Sequence, residues 1–370
     1  MLRRRLFFSL IPSLTIFAFS TENMPNPIIE GGGGLGLMIP FGSEALGTNP
    51  SRISAGGDEK FHIHLDLLQV SFPISVWDDW SPLASDMRHG SRSILSDSSF
   101  FDNLWKYDGV PIEGDAGFAV GAFCGPFAIS GESHVVSGGV LEHGAVVPWL
   151  SLWDSVSYLI RVGISQKFGN WSVGQSLNFR GVVSYIDSVS VYNPEEYKTV
   201  FSDLRDSLLD APSKAPHWRA SYTIGTYRSW ESGMEVSGAV REIGRESEGH
   251  TARPYVDLGT GWRWPQKNVW LWFPMQFLIG AQVDDIVGID SKDAFLRRTR
   301  AGFECQQGFL GKVLETRASA GVQGGWLSAG LGLTLFNTFQ FDMATWAEEA
   351  GRYVGQKENR HWVLRIRLGV

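Results

Sequence analysis

The chain has 370 residues and a formal charge of −7 at pH 7, and only 19% of its residues are charged. An acidic chain is a poor candidate for binding nucleic acid through phosphate contacts, so we expect no nucleic-acid partner. Glycine (43 residues) and tryptophan (15 residues) are abundant, while charged residues fall below the roughly 25% of a soluble domain. This composition favours a β-protein whose surface is not wholly wetted.

Residues 1–20 have the pattern of a secretory signal peptide. Arg3, Arg4 and Arg5 precede the apolar run Leu6–Phe19, and Ala18 and Ser20 are small residues at a suitable cleavage position. The run is short for a permanent spanning helix. The sequence therefore predicts an exported chain, with an uncleaved anchor as the alternative.

Residues 21–60 form a Gly- and Pro-rich lead-in that contains four consecutive glycines at 31–34. Such a stretch disfavours regular structure and permits close backbone approach. It is predicted to be a unit separate from residues 61–370.

From Phe61 onward, stretches of alternating apolar and polar residues recur between turn residues. In the segment 155–165, Val156, Ile160 and Val162 share one face and Ser157 and Arg161 the other. Similar alternation is found at 253–264, 314–322, 327–335 and 339–343. We count about fourteen or fifteen candidate strands, connected as successive hairpins.

Two long stretches interrupt this rhythm and are predicted to be large loops, near 84–107 and 187–215. The second contains an amphipathic helical pattern after Asn193, with Tyr197, Val200, Phe201, Leu204 and Leu208 on one stripe. Asn193 is a suitable N-cap residue, and Pro194 is suited to the first turn.

The alternation is compatible with a soluble sandwich or with a membrane barrel. A soluble sheet would place Lys and Glu on its polar faces, whereas here Gly, Ser, Thr and scattered Arg occupy them. Tryptophans also cluster near strand ends, as in an interfacial girdle, although they could be ordinary core aromatics. We therefore predict an all-β, transmembrane, up-and-down antiparallel β-barrel of about 14 strands.

The last ten residues are predicted to form a strand that outer-membrane assembly machinery recognises. One face is apolar and reaches the final residue, with Val370 in the place of the usual terminal aromatic. The residues of this face are Trp362, Leu364, Ile366, Leu368 and Val370.

Residues 328–369 resemble the closing strands of FadL-type outer-membrane proteins, especially their spirochaete and conjugal-transfer-protein-like relatives. The similar features are the Gly–Leu strand, the acidic loop at Glu348 and Glu349, and the basic start of the last strand at Arg360 and His361. Upstream, Asn49, Pro50 and Ser51 resemble the family's hatch motif, with Ser51 in place of the usual Ala.

The resemblance implies a fourteen-stranded barrel plugged by residues 21–60, in the cell outer membrane, that takes up long-chain fatty acids or other hydrophobic molecules. Apolar residues of the two large loops would then form a site of ligand capture, or would pack together as a lid. The loop residues concerned are Phe100, Phe101, Leu104, Trp105, Val200, Phe201, Leu204 and Leu208.

No catalytic motif, nucleotide-binding loop or metal-ligand spacing is apparent, and no enzyme activity, metal or cofactor is predicted. His62 and His64 alternate on a strand, but no third ligand is suitably spaced. Cys124 and Cys305 are expected either to pair or to be buried free thiols.

Three functions remain open at this stage. The first is outer-membrane transport of a hydrophobic small molecule with the N-terminal plug as gate. The second is a non-transporting surface barrel whose loops bind a host or partner molecule. The third is a soluble periplasmic β-protein.

Overall fold

The computed structural model describes most of the chain from residue 24 onward. The described residues are 24–54, 61–73, 111–143, 148–190, 199–200, 202–203, 206, 210, 215–244, 246–247, 250–251, 254–270, 273–288, 292–309, 313–349 and 358–369. The predicted signal peptide, the predicted loop at 84–107 and Val370 lie outside them.

Fourteen strands form one closed antiparallel barrel. Each strand pairs with its neighbours in the sequence, and the first strand pairs with the last. The barrel strands are β1 (Phe61–Pro73), β2 (Pro111–Cys124), β3 (Phe127–His143), β4 (Pro148–Phe168), β5 (Trp171–Ser190), β6 (His217–Ser229), β7 (Met234–Ile243), β10 (Tyr255–Trp270), β11 (Phe273–Val283), β12 (Thr299–Phe309), β13 (Leu314–Gln323), β14 (Trp326–Leu335), β15 (Phe339–Glu349) and β16 (Glu358–Gly369). A separate two-stranded hairpin, β8 (Glu246–Ser247) and β9 (His250–Thr251), lies between β7 and β10. The predicted up-and-down barrel is confirmed.

The outer surface of the barrel is apolar and the inner surface is polar. In β16, His361, Arg365 and Arg367 are buried, whereas Leu364 and Leu368 alternate with them on the opposite face. Strand β4 follows the same rule, because Ile160 and Val162 are exposed. An apolar surface around a closed ring of strands is the arrangement that hydrocarbon requires, since no backbone edge is left unpaired. The barrel therefore spans a membrane, and the soluble alternative is wrong.

The two ends of the barrel differ in the length of their connections. At the short-turn end the connections are brief, at residues 125–126, 169–170, 230–233, 271–272, 310–313 and 336–338. At the long-loop end lie the long connections 74–110, 191–216 and 284–298, together with shorter ones at 144–147, 244–254, 324–325 and 350–357. The loop predicted at 187–215 begins later than expected, because β5 continues to Ser190. Of its predicted helix, residues 199–200, 202–203, 206 and 210 are described, and they are helical.

Large aromatic side chains surround the short-turn end. They face outward beside the turns: Phe61, Phe127, Phe168, Trp171 and Phe336. Aromatic rings at this level suit the interface between hydrocarbon and water. The predicted girdle is only partly tryptophan, since Trp153 and Trp346 are buried and Trp346 stacks on His361 with ring centroids 5.2 Å apart.

Residues 24–54, called the N-terminal segment below, lie inside the ring of strands. The short helix Pro27–Gly31 contacts β13–β16. The 3₁₀ helices Gly42–Gly47 and Pro50–Arg52 contact β2–β5 and β4–β6 respectively. Apolar side chains of the segment pack against the inner wall in two clusters, one around Leu35, Leu37, Met38 and Leu278 and the other around Leu46, Ile53 and Phe123.

Among the described residues, no helix has both the length and the apolar character needed to cross a membrane.

Candidate functional site

Asn49, Pro50 and Ser51 join the N-terminal segment to the wall formed by β6 and β7. Asn49 caps the 3₁₀ helix Pro50–Arg52, and its Oδ1 accepts hydrogen bonds from the Ser51 N–H (3.2 Å) and the Ser51 hydroxyl (2.6 Å). Its Nδ2 donates to the Thr226 carbonyl oxygen (3.1 Å) and to the Ser237 hydroxyl (2.5 Å). Both polar atoms of the Asn49 side chain are therefore hydrogen-bonded, Oδ1 within the segment and Nδ2 to the barrel.

Glycines of the wall let the backbone of the N-terminal segment approach the strands directly. A Cβ on Gly225 would lie 1.9 Å from Asn49 Oδ1, and one on Gly174 would lie 2.2 Å from the Pro50 carbonyl carbon. On the other side of the barrel, a Cβ on Gly302 would lie 2.0 Å from the Gly32 oxygen. These separations exclude any side chain larger than hydrogen unless the segment moves.

Glu44 is the centre of an ion-pair cluster between the segment and the last strand. Its Oε1 lies 2.8 Å from Arg365 Nη1 and 2.7 Å from Arg367 Nη1. The two arginines also pair with the wall, Arg365 with Asp342 (Nη2 to Oδ2, 2.8 Å) and Arg367 with Asp66 (Nη2 to Oδ2, 2.9 Å). We call these five residues the Glu44 cluster.

Electrostatics keep Glu44 ionised in this interior position. Burial alone would raise the pKa of a carboxyl group. The positive charges of Arg367 and Arg365 outweigh that effect and hold the pKa of Glu44 well below its usual range. Glu44 is therefore a fixed negative charge between two cations of the closing strand.

A second ion-pair cluster holds the opposite side of the segment. Arg52 Nη1 lies 3.5 Å from Glu235 Oε2, and Arg263 Nε lies 2.9 Å from Glu235 Oε1. Arg52 also donates to the Pro40 carbonyl oxygen (3.1 Å), and Arg263 donates to that of Met38 (3.0 Å). Burial lowers the pKa of the Arg52 guanidinium, and Glu235 opposes that shift.

Two cavities lie on either side of Glu44. The one toward the short-turn end has a volume of about 150 Å³ and reaches Asn337, Thr338 and Gly369. The other has a volume of about 90 Å³ and reaches Met24, Ser130 and Arg161. Four residues line both cavities: Ser43, Glu44, His64 and Arg367. These four residues therefore form the partition between the two spaces.

Polar atoms in the second cavity lack hydrogen-bond partners among the described residues. They include the hydroxyls of Thr48 and Ser130. Buried polar atoms of this kind are usually satisfied by ordered water. The cavity is large enough for water and polar enough to hold it.

Glu30, the other acidic residue of the segment, has weaker cationic stabilisation of its ionised form than Glu44. Burial raises the pKa of Glu30 to about 7, although Arg300 and a hydrogen bond with Gln323 act in the other direction. At neutral pH this carboxyl group is close to its midpoint of protonation. It contrasts with Glu44, which has two cationic partners at hydrogen-bonding distance.

The predicted capture residues are mostly outside the described part of the chain. Phe100, Phe101, Leu104, Trp105, Phe201, Leu204 and Leu208 lie there, while Val200 is described and buried. The described part of the long-loop end offers a different apolar surface, which the sequence analysis missed. Exposed side chains of the 284–298 connection form it: Ile286, Val287, Phe295 and Leu296, called the long-end patch below.

Ion pairs fix the connection that bears the long-end patch. Asp285 pairs with Arg298 (3.4 Å), and Asp284 pairs with Arg300 (3.0 Å). The Asp285 N–H also donates to Asp257 Oδ1 of β10 (2.8 Å). The patch is therefore held in place at the rim of the barrel. The pattern of the short helix Lys292–Arg298, with two large apolar residues between charged ones, could have predicted it from the sequence.

The remaining predicted residues are placed as follows. Trp362, Leu364, Ile366 and Leu368 lie on the outer face of β16, as the alternation predicts. His62 and His64 both lie on β1, where the buried His64 approaches the Ser43 hydroxyl at 3.4 Å. The described residues contain no cluster of side chains suited to hold a metal ion. Cys124 and Cys305 are free thiols, and Cys124 is exposed, so its expected burial is wrong.

No family model and no curated protein matches the chain. Among solved structures, the chain is similar to the toluene transporter TbuX of Ralstonia pickettii, at 11% identity over 94% of this chain and 99% of that one, with a TM-score of 0.46. It is also similar to the toluene transporter TodX of Pseudomonas putida, at 10% identity over 96% and 98% of the two chains, with a TM-score of 0.45. A third match is CdiB from Acinetobacter baumannii, at 13% identity over 84% and 60%, with a TM-score of 0.35.

Proposed function

We propose that the chain is an outer-membrane transport protein for hydrophobic small molecules, with the N-terminal segment as its gate. The observation that supports this proposal most directly is the partition at Glu44. Ser43 and Glu44 of the segment, together with His64 of β1 and Arg367 of β16, separate two interior cavities. A shift of residues 41–48 would join these cavities without breaking any strand pairing of the barrel.

The manner in which the segment is held also supports a gate. Hydrogen bonds, ion pairs and apolar contacts fasten it to the wall, and neither cysteine of the chain lies in the segment. Non-covalent contacts of this kind can be exchanged for contacts with water in the lumen. A gate requires such reversible attachment.

The long-end patch supports a hydrophobic ligand. Its four apolar side chains are exposed at the end of the barrel that has the long loops, which faces outward in membrane barrels of this type. Apolar side chains fixed at a rim can concentrate an apolar solute before it enters. A long-chain fatty acid and a monoaromatic hydrocarbon are the two ligand classes to compare.

The membrane and the route of assembly follow from the same proposal. The short turns lie at one end of the barrel, and β1 begins at that same end. This arrangement suits the outer membrane, with the short-turn end in the periplasm. The apolar face of β16 would be the element that the assembly machinery recognises. Residues 1–20 would direct export.

A non-transporting surface barrel is the second candidate, and one observation favours it. The two interior cavities have volumes of only about 150 and 90 Å³, smaller than the roughly 300–1,000 Å³ of a drug-sized ligand pocket. In that case the N-terminal segment would be a plug that never opens, and the long loops alone would bind a partner.

A reversible cross-link between segment and wall distinguishes the two candidates. The hydroxyl oxygens of Ser54 and Ser165 are 3.0 Å apart, so cysteines at both positions can form a disulfide. The double variant S54C/S165C is built after Cys124→Ser and Cys305→Ser remove the natural thiols. Uptake of a labelled long-chain fatty acid and of toluene is measured in proteoliposomes before and after oxidation.

We expect oxidation to reduce saturable uptake at least tenfold and dithiothreitol to restore it. The single variant S165C in the same background is the control, and its uptake should not respond to oxidation. Uptake that is equal in the oxidised and reduced double variant would show that the segment is not the gate. No saturable uptake of either compound under any condition would favour the non-transporting barrel.

A further inference from the structure

One arginine at the short-turn end of the barrel points toward the membrane. Arg228 is the next-to-last residue of β6, and it pairs across the sheet with Trp171, which is exposed on the outer face. Cross-strand partners share a face of the sheet, so Arg228 also points outward. Its guanidinium therefore lies at the level of the aromatic side chains that surround this end.

Positive charge is rare on the outer face of the barrel. Of the side chains that the structure describes on this face, Arg228 and Arg360 are the cations. Arg360 already has partners, because it pairs with Glu358 and donates to the Leu327 carbonyl oxygen (3.2 Å). No carboxylate among the described residues pairs with Arg228, and Glu231 in the adjacent turn is exposed. Arg228 is therefore a membrane-facing cation without a counter-charge from the described wall.

Two tryptophans hold the guanidinium of Arg228. Its Cζ lies 5.1 Å from the ring centroid of Trp171 and 4.4 Å from that of Trp230. Such contacts use the flat face of a guanidinium and leave its N–H donors, which lie in the plane, for other partners. Within the described part of the chain, Nε has no hydrogen-bond acceptor. The protein thus orients this cation but supplies no acceptor for it.

A shallow depression lies on the outer face beside Arg228, toward the middle of the membrane. Gly238 of β7 forms it, two residues beyond Val236, which pairs with Arg228. This separation corresponds to about 6.8 Å along the strand. A Cβ on Gly238 would lie 3.3 Å from Leu258 Cδ2 and 3.6 Å from Thr226 Oγ1, so these two side chains border the depression. The cation and the depression lie in line along the direction of a lipid molecule.

We propose that Arg228 binds the phosphate of one anionic phospholipid in the leaflet at the short-turn end, with an acyl chain of that lipid over Gly238. Guanidinium groups recognise phosphate oxygens through paired, charge-assisted hydrogen bonds. Phosphate is also the anionic acceptor that the bilayer itself supplies at the level of the aromatic girdle. Acyl chains fill depressions in a membrane-facing wall, because a void forfeits dispersion contacts.

The missing counter-charge selects an anionic headgroup over a zwitterionic one. Phosphatidylethanolamine would bring its own ammonium close to the guanidinium, whereas phosphatidylglycerol brings a phosphate and neutral hydroxyls. Like charges at close range repel, and they repel more strongly where water is partly excluded. Phosphatidylglycerol should therefore be retained in preference to phosphatidylethanolamine of the same acyl length.

Native mass spectrometry of the full chain in detergent tests this proposal. The protein is titrated with each of the two phospholipids, and the detergent concentration is then raised. We expect one phosphatidylglycerol to remain bound after all other lipid has been removed. Arg228→Gln should weaken that adduct at least tenfold and abolish the preference between the two headgroups.

Arg360→Gln is the matched control, since it removes an outward arginine whose donors are already engaged, and it should retain lipid as the natural chain does. Gly238→Val fills the depression and should weaken binding of both phospholipids several-fold without changing the preference between them. Gly131→Val adds the same bulk on the outer face of β3 and should have no effect. Heat-modifiable migration in gels confirms that each variant is folded.

Equal phosphatidylglycerol retention by the natural chain and Arg228→Gln would overturn the proposal, because lipid would then bind without the guanidinium. Equal losses in Arg228→Gln and Arg360→Gln would also overturn it, since general surface charge would explain both. Unchanged binding in Gly238→Val would overturn the acyl-chain assignment. Should Arg228→Gln fail to fold, Arg228→Met keeps an apolar stem between the tryptophans and replaces it. The result does not depend on whether the barrel transports a ligand.

Discussion

Glu44 has an unusual position for a carboxylate, inside the barrel and between two arginines of the closing strand. Arg365 is almost fully buried, its ionic partners are Glu44 and Asp342, and it also donates to Asn26 Oδ1 (3.3 Å). Removing one member of a buried ion pair is costly, because the remaining charge loses its partner while it stays desolvated. The Glu44 cluster is therefore the place where a single substitution should loosen the N-terminal segment most.

Glu44→Gln keeps the shape of the side chain and removes its charge. We expect local stability of the segment to fall by about 3 kcal/mol, which corresponds to roughly 100-fold faster amide exchange for residues 42–47. Exchange is measured by mass spectrometry on peptides from the reconstituted protein. Glu231→Gln, in the exposed turn between β6 and β7, is the matched control and should leave exchange unchanged. Equal protection in Glu44→Gln and the natural chain would contradict this role.

At the scale of elements, the N-terminal segment packs closely against the wall because the wall residues that face it are glycines. Gly174 and Gly225 on adjacent strands receive Pro50 and Asn49 at distances that no Cβ permits. The 3₁₀ helix Pro50–Arg52 presents these two residues in one turn. Asn49 and Pro50 can lie this close to the wall only because glycines face them from β5 and β6.

Gly225→Val should displace the Asn49 side chain and open the lumen. We expect the single-channel conductance in planar bilayers to rise several-fold, since the hydrogen bonds of Asn49 to Thr226 and Ser237 are lost. Gly131→Val is the control, because a Cβ there meets only Val120 Cγ1 at 3.6 Å. A Gly225→Val channel as closed as the natural one would show that the wall adapts without moving the segment.

Alternation of side chains predicted the strands, their two faces and most hairpins, since it depends on neighbouring residues alone. The same local reasoning found Asn49, Pro50 and Ser51 but could not find their partners. Gly225 and Ser237 lie about 180 residues away in the sequence, and their position depends on strand register. The alternation of the last strand also places Arg365 and Arg367 on its polar face, yet nothing in the sequence indicates that Glu44 meets them.

At the scale of the whole molecule, the barrel has a polar interior and an apolar exterior, the inverse of a soluble protein. Leu331 is exposed near the middle of β14, and Arg365 is buried on β16 two strands away. An exposed residue of the outer surface therefore faces hydrocarbon, whereas a residue of the inner surface faces the lumen or the N-terminal segment. The outer face tolerates apolar groups because hydrocarbon, not water, surrounds it.

The same substitution should have opposite consequences inside and outside the hydrocarbon band. Leu331→Arg places a charge near the bilayer midplane and should destabilise the barrel by about 2–4 kcal/mol. Leu296→Arg, in the long-end patch, should change stability by less than about 0.5 kcal/mol. Urea unfolding in lipid vesicles gives both values. Equal effects at the two positions would contradict the membrane-spanning band.

The pairing of β1 with β16 has a consequence for how the protein is made. Residues 24–54 precede every strand of the barrel in the sequence, whereas Arg365 and Arg367, which pair with Glu44, lie on β16, the last strand of the ring. Glu44 therefore cannot pair with Arg365 and Arg367 until β16 takes its place in the ring. The Glu44 pairs are therefore completed only when β16 joins β1, whereas the pair of Arg52 with Glu235 needs β7 alone.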